Sequence, residues 1–246
     1  MHAVQRRTPE DGGPAPDRCV RSRRRRTSMS SSTIALSPSA RLDAWLGGAP
    51  FCDVLALRTA ASADAVMRAA RALTPRDVPL GTSAAAMHDL PRTLTGHGAD
   101  AIDVDRPLVE AILERGGVIL EERPSELILG IAGALYRVRG RQAVALRSPD
   151  ELAAFDRAGC EKVGISVRAV AMADGGCVVA LEHRTIPSGM ADGRERRRLE
   201  RYWRVLGPAA AVIARQVLRA IARRAERAEG LEMESHEEHI ATSVRF

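Results

Sequence analysis

The chain has 246 residues, of which 45% are hydrophobic and only 3% aromatic, and its formal charge is +6. That length fits one domain with tails or two small domains, with an aliphatic core large enough to fold alone. Four cysteines, Cys19, Cys52, Cys160 and Cys177, share no CxxC or Cys/His spacing, which excludes a zinc ribbon and argues for free thiols in a reducing compartment.

The charge is unevenly placed. Residues 1–45 hold nine Arg against four acids, and residues 194–229 hold eleven Arg against four. Lys162 is the sole lysine. Arginine excess in so biased a composition is weak support for a nucleic-acid site, and no nucleic-acid partner is expected.

In chain order, residues 1–45 read as a disordered basic leader. They mix Pro, Gly, Ser and Arg without an apolar period. Thr27–Ala40 lacks the apolar core of a secretion leader, so a cytoplasmic protein is expected, and Met29 offers an alternative start. Phe51–Thr59 predicts a strand. Ser62 then caps a helix over Ala63–Leu73, with Val66, Ala69, Ala70 and Leu73 on one face. Short helices are predicted near Ala84–Leu90 and over Pro107–Arg115. Val118–Glu122, Glu126–Ala132, Leu135–Val138 and Ala143–Leu146 read as consecutive strands, and Pro149–Asp156 as a short helix. Cys160–Ala173 and Cys177–Ile186 form a hairpin across Asp174-Gly175-Gly176.

The last ordered stretch, Arg194–Glu229, predicts one long amphipathic helix. Leu199, Trp203, Leu206, Ala210, Ile213, Val217 and Ile221 recur at steps of three and four, with arginines on the other faces. Asp192 is an N-cap candidate and Gly230 a C′ candidate. Pro208 predicts a bend near Arg204. Val205–Ile221 is only 17 residues and contains Pro208 and Arg215, so no transmembrane segment is expected. Residues 230–246 read as an acidic flexible tail, leaving 46–229 as the domain. The expected fold class is α+β: a curved antiparallel sheet wrapped around the long C-terminal helix, which covers one sheet face.

That order resembles the helix-grip fold of the START-like, or SRPBCC, superfamily, which includes plant pollen-allergen-like proteins and polyketide cyclases. Arg123–Gly133, Phe155–Val163, Leu181–Thr185 and Tyr202-Trp203-Arg204 resemble a bacterial branch of it, over roughly residues 50–228. Two positions depart from that pattern: Tyr136 replaces a Trp, and His183 stands where Thr is expected. The resemblance implies an internal cavity for a small hydrophobic molecule such as a lipid or polyketide, and no single chemistry.

Glu182 and Arg184 lie two apart on a strand and so share a face. The expectation is a pair inside the cavity that orients a polar ligand group, with Glu126 and Lys162 as further partners. The alternative is a salt bridge on the outer sheet face. Tyr202 and Trp203 are core or cavity-mouth aromatics. The ligand-binding set expected is therefore Glu126, Glu182, Arg184, Tyr202 and Trp203, with walls from strands 118–132, 163–172 and 177–186 and helix face 199–221. His183 points away from Glu182 and reads as structural. His88 and His97 have no partner spacing, and His236 and His239 fall in the tail, so no metal and no cofactor is expected. No P-loop, GxSxG or GxGxxG stands between a strand and a helix.

Two other classes stay open: an enzyme using Glu182 as acid/base, and an interaction protein binding acidic partners through the arginine-rich helix. The expected state is a monomer or homodimer.

Overall fold

The computed structural model describes residues 37–79, 103–135, 143–189 and 193–230. Its elements run α1 (Ala40–Leu46), β1 (Phe51–Thr59), α2 (Ala63–Arg71), a 3₁₀ turn (Pro75–Asp77), α3 (Leu108–Glu114), β2 (Val118–Arg123), β3 (Glu126–Gly133), β4 (Ala143–Val144), α4 (Pro149–Ala154), β5 (Cys160–Ala171), β6 (Cys177–Ser188) and α5 (Gly193–Ala228). The sheet is antiparallel, in the order β1-β6-β5-β3-β2, and β4 pairs with β3. This is the α+β helix-grip architecture: an open, curled sheet with a long C-terminal helix laid across one face.

The long strands fold as the alternation dictates. On β6, Cys177, Val179 and Leu181 belong to the cluster that receives α2 and α5, together with Leu55 and Leu57 of β1 and Leu127 and Leu129 of β3. Leu218, Ile221, Ala222 and Ala225 come from α5 and Val66, Ala69 and Ala70 from α2. We call this the helix face. The opposite face carries Ile128 and Ala132 of β3 and Leu120 of β2, covered by Leu42 and Leu46 of α1 and Leu152 of α4.

The β5–β6 turn needs two left-handed residues, supplied by Gly175 at φ 96° and Gly176 at φ 68°. At Gly176 a side chain would also collide with the Thr59 carbonyl at the end of β1.

The C-terminal half of α5 is fastened to the start of the domain. Thr59 donates to the buried Glu226 at 2.6 Å, Ser62 donates its amide to Glu229 at 3.0 Å, and Arg224 reaches Asp77 at 3.1 Å. Gly230 ends the helix in the left-handed conformation at φ 68°, as the C′ expectation had it. Helix α5 continues through Pro208, which lies on the exposed side.

Several expectations need correction. Helix α1 lies within what reads as a disordered leader, and Leu42 and Leu46 are core residues. Leu135 is in a turn, not a strand, and the rest of Leu135–Val138, including Tyr136, lies outside the described residues. The helix expected near Ala84–Leu90, His88, His97, His236, His239, Asp192 and Cys19 also lie outside them.

Candidate functional site

The polar residues singled out from sequence divide between the two sheet faces. Glu126, Glu182 and Arg184 converge, but on the face opposite α5. Strand register explains the convergence. Glu182 pairs with Ser166, Arg184 with Gly164, and Glu126 with Arg168, so one face of β3, β5 and β6 gathers them. Helix α1 then closes over them.

Ser39 is the hub. Its hydroxyl donates to Glu126 Oε1 at 2.5 Å and accepts from the Leu42 amide at 3.2 Å, capping α1. Its amide donates to Glu182 Oε2 at 2.6 Å. Arg184 donates Nε to Glu182 Oε1 at 2.6 Å, Nη1 to Asp43 Oδ1 at 2.5 Å, and Nη2 to the Ser39 carbonyl at 3.3 Å. Ser166 adds a 2.7 Å hydrogen bond to Glu126. Both carboxylates are thus engaged by α1 and the strands. Buried charges survive only when satisfied in this way. Lys162, expected as a partner, instead donates to the Ala153 carbonyl at 3.0 Å. The pair is neither an exposed outer-face bridge nor part of the seam beneath α5; it fastens α1 to the sheet.

Tyr202 and Trp203 lie on the other side. Trp203 packs against His183 with ring centroids 4.8 Å apart and planes tilted by 48°, meets Tyr202 edge-on at 5.4 Å and reaches Phe51 at 6.2 Å. Its indole donates to Glu161 Oε2 at 3.4 Å. Trp203 is only half-buried, less enclosed than the core residue the spacing predicts.

The seam between sheet and α5 is tight at both ends and looser between them. Leu199 and Phe51 are buried at one end, and Leu218, Ile221, Ala222 and Ala225 at the other. Between them Leu206, Ala210, Ile213, Ala214 and Val217 on α5, and Ile131, Ile165 and Val167 on the sheet, stay half-buried, while Ala211 is buried.

Three polar groups enter this seam. Asp53 and His183 are direct cross-strand partners on β1 and β6. Asp53 shares its face with Phe51, Leu55 and Leu57, and His183 shares its face with Leu181 and Val179. Burial raises the Asp53 carboxyl above its usual range, against the opposing pull of the Arg215 guanidinium and the Val54 amide. Burial pushes the His183 imidazole down to about 4, so it is neutral at neutral pH. Its Nε2 lies 3.3 Å from the Thr185 hydroxyl. Asp53 Oδ1 and Arg215 Nε are buried atoms that no hydrogen-bond partner meets among the described residues. Buried polar atoms of folded proteins are nearly always paired, so two orphans of opposite kind mark this as the candidate site.

Reasoning from sequence passed over Asp53 and Arg215 and set His183 aside as structural. A signal was present. Asp53 has the same parity as Phe51, Leu55 and Leu57 of its strand, and Arg215 is the one charge between Val205 and Leu218.

Burial, with Glu229 and Glu226 nearby, pushes the Cys177 thiol up to about 11. The described residues contain no group of three or more His, Cys, Asp or Glu placed to hold a metal. By length and composition α5 is able to cross a membrane, a test that the core helix of a globular protein also passes. No protein-family model, no curated protein and no solved structure matches the chain.

Proposed function

We propose that this is a START-like ligand-binding protein that takes a small hydrophobic or amphipathic molecule into the seam between the sheet and α5. The observation that carries the reading is the half-burial of Ile165, Val167, Leu206, Ile213 and Val217 between two fully buried ends. A helix held at both ends over a curled sheet leaves its middle able to accept a guest. Aliphatic walls with few polar groups are what such sites require. The fold is compatible with the superfamily that the segment likeness points to.

The test is native mass spectrometry of gently purified protein, followed by titration with an uncharged naphthylamine dye. The reading expects a co-purified apolar mass or saturable dye binding that Ile213→Trp abolishes. A clean apo mass together with no dye binding overturns it.

An acid–base enzyme on the same fold is the second reading. Asp53, not Glu182, is the carboxylate that favours it, because Glu182 is held by Ser39 and Arg184 while Asp53 keeps an unpartnered oxygen.

A further inference from the structure

Asp53 and Arg215 come from opposite walls of the seam, one on β1 and the other on α5. They carry opposite charges and interact electrostatically, yet each retains a buried atom that nothing among the described residues satisfies. His183, the cross-strand partner of Asp53, has its Nε2 against the Thr185 hydroxyl. An orphaned acceptor and an orphaned donor thus remain within one apolar seam.

We propose that Asp53 and Arg215 recognise the polar end of an amphipathic ligand whose head is uncharged and both donates and accepts hydrogen bonds, as a carboxamide or hydroxy-ketone does. This rests on the ligand-binding reading above and adds the chemistry of the head. The carboxylate of Asp53 accepts the head's N–H or O–H, and the guanidinium of Arg215 donates to its carbonyl oxygen.

Charge bookkeeping selects the class. The two side chains sum to zero. A ligand carboxylate gains Arg215 but is brought against Asp53, and an ammonium gains Asp53 but meets Arg215. Away from water, each such like-charge contact is poorly screened. A neutral head with both functions pairs both orphans and adds no charge to the seam. A bare alkyl chain fills the aliphatic part but leaves both atoms unsatisfied, which forfeits affinity.

The experiment uses the full chain and an uncharged naphthylamine dye, displaced by decanamide, decanoate, decylammonium and decane. Equal carbon count keeps the apolar contribution within one methylene, which favours the ammonium and the alkane, so a lead for decanamide reports the head. Decanamide is expected to displace the dye at about tenfold lower concentration than any of the other three. Asp53→Asn should narrow the gap between decanamide and decanoate, and Arg215→Gln the gap between decanamide and decylammonium, each by about fivefold or more. Cooperative thermal melts followed by circular dichroism show that both variants fold.

If all four compounds displace the dye equally, or if a charged head wins, the head assignment is overturned while ligand binding stands. An unchanged ranking in both folded variants overturns the roles of Asp53 and Arg215. Dye that never binds removes the ligand-binding reading itself, and this inference with it. Should one variant not fold, the wild-type ranking alone decides.

Discussion

Glu182 and His183 are adjacent in β6 and work on opposite sides of the sheet. Glu182 receives the Ser39 amide and the Arg184 guanidinium beneath α1, while His183 packs against Trp203 beneath α5. One peptide bond separates an anchoring network from the candidate ligand seam. The two can therefore be perturbed independently.

The anchor should be strongly coupled. Arg184→Met leaves Glu182 buried without its charged partner and frees Asp43, and should cost about 3–5 kcal/mol. Glu182→Gln should cost somewhat less, because the amide still accepts from Ser39. The double variant should cost clearly less than the two singles together, since neither charge is then left alone. Chemical denaturation of the four proteins checks this. Strict additivity would mean that the pair contributes nothing as a pair.

The close approach of α1 is equally specific. Gly164 lies beside Arg184 in the register, and a side chain there would meet the ends of Leu42 and Leu46. Both leucines are enclosed in the core and have little room to give. Gly164→Ala is expected to lose about 1–3 kcal/mol. Increased protease cleavage near residue 39, without loss of dye binding, would locate the damage at α1.

How much of this was legible follows from what sets each element. The β5–β6 hairpin and α5 are set by local signals: glycines at the turn, and a period of three and four along the helix. The face on which Glu182 and Arg184 lie was not legible, because alternation gives relative sides and not which side meets α5. Helix α1 escaped notice because it is seven residues long, and what holds it in place is the buried acids of β3 and β6, far away in sequence. A short helix of this kind owes its stability to tertiary contacts.

The pH dependence of stability follows from His183. Its folded pKa of about 4 lies below the ordinary value of 6.5. The unfolded chain therefore takes up a proton first as pH falls. Its contribution is fully present above about pH 6.5 and is lost between there and about pH 4, by at most about 3 kcal/mol. His183→Gln should flatten the slope in that window. A wild-type unfolding midpoint that does not change from pH 7 to pH 5 would contradict an imidazole that the fold holds neutral.

Asp53 has the opposite sign. Its folded pKa is raised, so its contribution favours folding at low pH and is lost as pH rises through the folded value. Burial in the seam disfavours the ionised form of this carboxyl. Asp53→Asn, which resembles the protonated form, should raise the thermal midpoint at pH 7 and lose that advantage below pH 4. Stability given up at one polar residue is the pattern expected where a site serves a ligand. A lower midpoint in the Asn variant would instead assign Asp53 to holding the fold.

Trp203 joins the seam to its rim and gives the last expectation. A fully buried tryptophan truncated to alanine costs about 3–5 kcal/mol. Trp203 is half-buried, yet it meets His183, Tyr202 and Phe51 and donates to Glu161. Its removal loses the apolar contact of a partly exposed ring and leaves the buried Glu161 without the indole donor. Trp203→Ala should therefore cost about 2–3 kcal/mol. It should also let water reach His183, moving the histidine's titration back toward 6.5, which proton NMR of the imidazole reads directly. Trp203→Phe keeps the ring contact and loses only the indole N–H, so it should cost about 1 kcal/mol and leave the histidine low. If both variants shift the titration equally, the Glu161 hydrogen bond, and not the ring, keeps His183 dry.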